Sequence, residues 1–256
     1  HTNFIEMGLL SLFKKKARLE APVDLSVLGC DIHSHFIPGI DDGAKIMEDS
    51  VQMITEIYNL GYKKVITTPH IMGDFYRNTP ENIGEGLANV RIALKQANIP
   101  IKIEAAAEYY LDFDLERKLD EGKLLTFGNN NVLFEVSYMN APENLLHMIF
   151  RMQTMGYQPI LAHPERYNFW HNNFSKYEML MEKGVKLQLN INSLSGYYSI
   201  STQKIAEQLI DKNMISYIGT DCHHMGHINL IKNVVYEPHL KKLIESDSLL
   251  NNTLLD

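Results

Sequence analysis

Seven short runs of β-branched and aliphatic residues recur along the chain, at 27–32, 64–67, 101–107, 132–136, 159–162, 185–191 and 215–219. Each has the length of a strand buried on both faces. Between them, segments 48–60, 80–97, 142–155, 174–183 and 202–212 place apolar residues three and four apart, the period of a helix with one buried stripe. Gly61, Gly156 and Gly184 stand where three of these helices should stop, and Thr79 ahead of Pro80 reads as a cap before a first-turn proline. Strands that alternate with helices pair in parallel through helical crossovers. Seven such units without a break in composition favour a closed or nearly closed α/β barrel, with an open doubly wound sheet as the alternative. In either fold the functional face lies at the C-terminal ends of the strands.

A chain of 256 residues with 45% hydrophobic and 21% charged residues can bury the core that one barrel needs. The expected organisation is an N-terminal arm over 1–26 and a single barrel over 27–256. Met7 reads as a natural initiator, with 1–6 an appended remnant outside the fold. The formal charge of -7 argues against binding nucleic acid by phosphate neutralisation. The one basic patch, Lys14, Lys15, Lys16 and Arg18, adjoins Leu9, Leu10, Leu12 and Phe13. It reads as a solvated amphipathic arm or a membrane-surface contact, not an inserted segment. No stretch reaches the roughly 18 to 20 apolar residues of a membrane span, and a cytoplasmic location is expected. Cys30 and Cys222 are too few for a disulfide framework. Neither begins a Cys-x5-Arg phosphate loop, since Phe36 and Ile228 hold the sixth positions after them.

The residues at the strand ends carry the chemistry. The first strand runs into Asp31-Ile32-His33-Ser34-His35, and alternation would put His33 and His35 on one face. The second is followed by His70 and the third by Glu108; the fourth contains Glu135. The fifth leads into His163-Pro164-Glu165-Arg166, and the seventh into Asp221-Cys222-His223. Taken singly, such a histidine can be a hydrogen-bonded core residue and such a carboxylate a solvated loop residue. Together they follow six of seven strands, whose ends converge on one cavity in a barrel. Glu135, amid Val132, Leu133, Phe134 and Val136, needs a cation, because an unpaired buried carboxylate costs several kcal/mol. Arg166 or a metal could supply it. Asn190 and Asn192 are expected to orient water or phosphate, and Tyr76, Tyr197 or Tyr198 to stack on a substrate ring.

The strings Asp31-Ile-His-Ser-His35, Asp41-Asp42-Gly43, Thr68-Pro-His70, Ala107-Glu108-Tyr109-Tyr110, His163-Pro-Glu-Arg-Tyr167 and Asp221-Cys-His223, in this order, resemble the polymerase and histidinol phosphatase superfamily. More narrowly, the chain is similar to the manganese-dependent bacterial protein-tyrosine phosphatases of capsular and exopolysaccharide gene clusters. The resemblance implies a distorted (β/α)7 barrel holding three divalent ions, with manganese expected and iron or zinc also suited to mixed His and carboxylate donors. It implies that His33, His35, Glu108 and Asp221 hold the first ion. Glu108 would bridge to a second bound by Glu135 and His163, and Asp42, His70 and His223 would hold the third. Arg166 would meet the phosphate. Relatives carry a second phosphate-facing arginine after the Asp-x-His pair, where this chain has Met225-Gly226-His227-Ile228, so His227 is the candidate substitute.

Three such ions, about +6, against the carboxylates of Asp42, Glu108, Glu135 and Asp221, about -4, would leave a local charge of about +2 that favours an anionic ester despite the acidic surface. The expected nucleophile is metal-bound hydroxide, and the implied substrate is phosphotyrosine on the tail of a membrane-bound bacterial tyrosine kinase that controls polysaccharide export. Two alternatives stand beside this: a small-molecule phosphatase of the histidinol-phosphate type, and a non-catalytic regulatory barrel stabilised by metal.

Overall fold

The computed structural model describes residues 18–255. Most of the basic patch at 14–18, apart from Arg18, and positions 1–6, expected to be an appended remnant, lie outside the described residues. Arg18 stacks on Tyr236 and bonds to the carbonyl of Asn233, and the backbone of Leu19 and Val23 donates to the carbonyls of Tyr236 and Val235. This stretch of the expected arm is therefore fastened along the end of the fold.

Among the described residues the strands are β1 (Cys30–Asp31), β2 (Lys64–Thr67), β3 (His70–Ile71), β4 (Lys102–Ala105), β5 (Glu108–Tyr110), β6 (Asn131–Glu135), β7 (Gln158–Ala162), β8 (Lys186–Asn190) and β9 (Tyr217–Gly219). All neighbours pair in parallel, in the orders β1-β2-β4 and β3-β5-β6-β7-β8-β9. These nine pieces occupy the seven expected strand positions, because the second and third are each broken in two. Pro69 has no N–H to give a ladder, which interrupts the second position, yet its carbonyl accepts from Glu108 N at 3.1 Å and carries the register across.

The β9–β1 seam has no regular ladder. It is closed by the bridge Ser34–Cys222, by Asp221 N donating to His33 O at 2.8 Å, and by Thr220, whose N and Oγ1 donate to the buried Asp31 carboxylate at 2.9 and 2.7 Å. At the other end, buried Asn251 accepts from Ile218 N at 3.0 Å and donates to the carbonyls of Cys30 and Ile218 at 2.9 and 2.7 Å. Side chains thus supplement a short stretch of main-chain pairing, and the sheet closes into a barrel rather than remaining open.

The outer helices are α1 (Met47–Asn59), α2 (Pro80–Gln96), α3 (Phe113–Asp120), α4 (Leu145–Thr154), α5 (Ser175–Glu182), α6 (Ile200–Asp211), α7 (Met225–Val234) and α8 (Pro238–Ile244). Thr79 caps α2 as the sequence suggests, accepting from Asn82 N while Asn82 bonds back to Thr79 N. The five expected helices are present. α3 is too charged to show a clear apolar period, burying only Leu115 and Leu119, and α7 and α8 follow the last strand in a stretch where no helix was expected.

Period-2 alternation sorts each strand. Val132, Phe134 and Val136 face the helices with Leu161, Leu187 and Leu189. Leu133 joins Cys30, Ile32, Ile66, Ile160, Ala162 and Tyr217 in a separate cluster inside the barrel, closed by Phe127 and Leu254. Two residues beyond Leu133 the same face carries Glu135 to the mouth. The interior is therefore an apolar plug below and a polar chamber above.

Candidate metal centre

The polar chamber is a cavity of about 740 Å³ at the C-terminal ends of the strands. Asp42, His70, Glu108, Glu135, His163, Arg166, Asp221, His223 and His227 line it. The remaining two candidates, His33 and His35, are fully buried just beneath. All the expected site residues are thus brought to one place, from positions nearly two hundred residues apart.

Three groups of donor atoms are close enough to share an ion: His33, His35, Glu108 and Asp221; His35, Asp42, His70 and His223; and His70, Glu108 and Glu135. The first has the composition implied by the resemblance, and the second adds His35 to the implied trio. The third contains His70 where His163 was implied. His163 Nε2 lies 2.9 Å from Glu108 Oε1 and 3.8 Å from Glu135 Oε2, on the flank of that group.

Whether these residues suit a cation is answered by their unused atoms. His33 Nε2, His35 Nε2, His70 Nδ1 and Glu108 Oε2 are buried without a well-formed hydrogen bond, the three nitrogens crowding the one oxygen at 3.1–3.5 Å, although each such atom normally costs about 1–3 kcal/mol. Their opposite ends are held. His33 Nδ1 donates to Gln188 Oε1 at 2.8 Å, and His35 Nδ1 to Asp41 Oδ2 at 2.7 Å. Both contacts put the proton on Nδ1 and turn the Nε2 lone pair toward the carboxylates, the tautomer a metal requires. Gln188 is fixed in turn by donating to Asn190 Oδ1 at 2.9 Å.

The electrostatics agree. Burial opposes charge on His33, yet Glu108 and Asp221 outweigh it and raise its pKa to about 9. Against the cost of their own burial, Glu108 is held well below the usual carboxylate range by His33 and His70, and Asp221 by His33 and His223. A chamber this eager for positive charge suits divalent ions, which would displace those protons.

The local backbone is shaped for the site. Asp41 accepts from Gly43 N and His70 N as well as His35, tying three segments together. Position 43 must be glycine, since a Cβ there would lie 2.2 Å from the His35 carbonyl oxygen. His163 and Asp221, just past β7 and β9, adopt φ of 33° and 47°, a strained region for such residues that is tolerated where a side chain must be aimed.

Arg166 pairs with Asp221 Oδ2 at 3.0 Å and not with Glu135, so of the two cations considered for Glu135 only a metal is left. Asn190 does not line the cavity; its Nδ2 donates to the same Asp221 oxygen at 2.6 Å, leaving Oδ1 toward His33, His35 and His223. Asn192 is buried and donates to the His227 carbonyl. Tyr76 stacks on His70, Tyr197 meets His227 edge-on, and Tyr198 lies against Arg166. His227 lines the cavity, but burial and then His224 lower its pKa to about 4, so it brings no standing charge of the kind an arginine has. Sequence reasoning missed Gln188, one of three polar residues that alternate with Val185, Leu187, Leu189 and Ile191, and Tyr138, whose loop gives no signal.

A parallel barrel whose strand ends converge on clustered His, Asp and Glu side chains defines a candidate metal-dependent enzyme. The chain belongs to the family described as capsular polysaccharide synthesis, CpsB/CapC, whose model matches residues 29–243. It is 29% identical over 196 residues to the tyrosine-protein phosphatase YwqE of Bacillus subtilis, covering 76% of this chain and 77% of that one. The tyrosine-protein phosphatase CpsB of Streptococcus pneumoniae is 26% identical over 201 residues, covering 76% and 83%. Among solved structures, those of YwqE and CpsB, described as unique metal-dependent tyrosine phosphatases, include a chain that superposes with a TM-score of 0.77 at 27% identity, covering 88% of this chain and 90% of that one.

Proposed function

We propose that this chain hydrolyses phosphotyrosine on a protein, using three divalent ions, with manganese the preferred one. The observation that carries the reading is the set of buried donor atoms on His33, His35, His70 and Glu108 that crowd together without a well-formed hydrogen bond, at the floor of a cavity that Arg166 also lines.

His33, His35, Glu108 and Asp221 would hold one ion; Glu108, Glu135 and His70, with His163 alongside, a second; and Asp42, His70, His223 and His35 a third. His35, His70 and Glu108 each stand between two groups. Ions bound there would supply a water nucleophile near neutral pH and neutralise charge on the phosphoryl oxygens. Arg166, charged at any working pH and set on the cavity wall, would bind the phosphate through the N–H groups not used by Asp221. His227 would offer it a neutral contact. No side chain need act as a nucleophile: Cys222 is buried away from the cavity, its thiol pushed well up by burial and the nearby carboxylates of Asp31 and Asp221. A phenolate leaves more readily than an alkoxide, so a strong general acid is not demanded.

The family description supports a role in capsular polysaccharide synthesis, and the proposed substrate is the phosphorylated tail of a membrane-bound bacterial tyrosine kinase, met from the cytoplasmic side. No helix among the described residues is long and apolar enough to cross a membrane. Phosphate release from a phosphotyrosyl peptide and from histidinol phosphate, compared at equal manganese, tests the reading. Preference for the peptide supports it; preference for histidinol phosphate would place the chain among small-molecule phosphatases, and binding without release would make it a regulatory barrel.

A further inference from the structure

Arg166 sits at the end of a short turn, Pro164–Arg166, with a single ion pair to hold a long side chain. Its guanidinium carbon nonetheless stands over two aromatic rings, 4.2 Å from the centre of Tyr198 and 4.8 Å from that of Tyr138. The rings arrive from different loops: Tyr138 lies three residues past β6, and Tyr198 follows the turn after β8. Each is tied to the donor network. The Tyr198 hydroxyl accepts from Asn190 Nδ2 at 3.4 Å, the amide that also holds Asp221. Tyr138 stacks on His163 with centroids 5.8 Å apart. Core packing does not account for Tyr138, which is 42% exposed.

We propose that Tyr138 and Tyr198 are positioning residues for Arg166, gripping its guanidinium by their ring faces so that its edge is presented to the phosphate. This rests on the reading of Arg166 given above. Stacking occupies the π surface of a guanidinium and leaves its in-plane N–H groups free, one for Asp221 and the rest for an oxyanion. The rings also strip water from a charge that would otherwise sample many rotamers, so the phosphate meets a donor already in place. The hydroxyls are not required by this role, because the attraction comes from the ring.

The test uses the full chain loaded with manganese, with inorganic phosphate as the probe in calorimetry and a phosphotyrosyl peptide in kinetics. Tyr138→Leu and Tyr198→Leu should each weaken phosphate binding and raise KM about fivefold, with a smaller change in kcat. Tyr138→Phe and Tyr198→Phe should stay within about twofold of the parent, and elemental analysis should find the metal content of all four unchanged. In an Arg166→Ala background the leucine substitutions should add nothing. The clamp is overturned if phenylalanine is as harmful as leucine, if leucine is harmless while Arg166→Ala weakens phosphate binding, or if the leucine effects persist without Arg166. If Arg166→Ala itself leaves phosphate affinity unchanged, the assignment of Arg166 to the phosphate falls, and the clamp with it. Tyr138, half in solvent, can be replaced without unfolding the barrel, so the comparison stands even if Tyr198→Leu does not fold.

Discussion

Asp41 accepts a hydrogen bond from His35 Nδ1 across 2.7 Å, and neither side chain meets solvent. The pair decides which nitrogen of His35 faces Glu108 and Asp221, so a residue outside the three donor groups can set the affinity for an ion. Asp41→Asn presents an amide that can turn its N–H groups toward the ring and favour the wrong tautomer. Manganese affinity should fall about 10- to 100-fold, as metal titration followed by calorimetry would show; unchanged affinity would remove Asp41 from this role.

Asp221 divides its oxygens between the imidazoles and the pair Asn190 and Arg166. Asp221→Ala therefore loses a donor and an anchor together, and phosphate release should become nearly undetectable. Cys222→Ser, one residue on, should keep activity within about twofold, because that side chain packs toward Met53 behind the site. A large loss in the serine variant would reopen thiol chemistry.

Removing metal should destabilise the fold as well as silence it. The chamber concentrates the buried side chains of His33, His35, Glu108 and Asp221, and ions that bind only the folded state add stability by mass action, about 2.7 kcal/mol at a hundredfold excess over Kd. Differential scanning calorimetry with and without chelator should show Tm falling by several degrees, restored by manganese. Coincident melting curves would mean that the donors hold no ion.

Asn251 lies at the far end of the barrel from the cavity and makes three buried hydrogen bonds across the β1–β9 seam. Asn251→Ala leaves those main-chain groups without partners and should cost about 3 kcal/mol, a drop in Tm of roughly 6–12 °C for a chain of this size. KM for substrate should hardly move at temperatures where the variant is folded. Thermal melts beside kinetics separate the two effects.

The donor residues were legible because parallel strands end where chemistry is done, and short apolar runs mark those ends well. Glu135 betrayed itself by breaking such a run, whereas Gln188 falls in the regular alternation of Lys186, Gln188 and Asn190 and gives no such signal. What could not be read was how donors are shared: His70 stands within reach of both Asp42 and Glu135, a matter of ring orientation that spacing does not encode. That Arg166 and Asn190 both meet Asp221 was unreadable for the same reason, since it depends on where the Asp221 side chain points. Tyr138 stood outside any periodic segment, and the seam bonds of Asp31 and Asn251 join ends of the chain that no local pattern connects.

That seam has a consequence for how the molecule is born. A ribosome delivers His33, Glu108 and Asp221 in turn; the bonds of Thr220, Asp221 and Cys222 can close the mouth of the seam as the last ligands arrive, but its far end is not stapled until residue 251 has followed. A nascent chain thus carries its ligands before the floor beneath them is fastened, and ions captured early would be held by a vessel still open at its base.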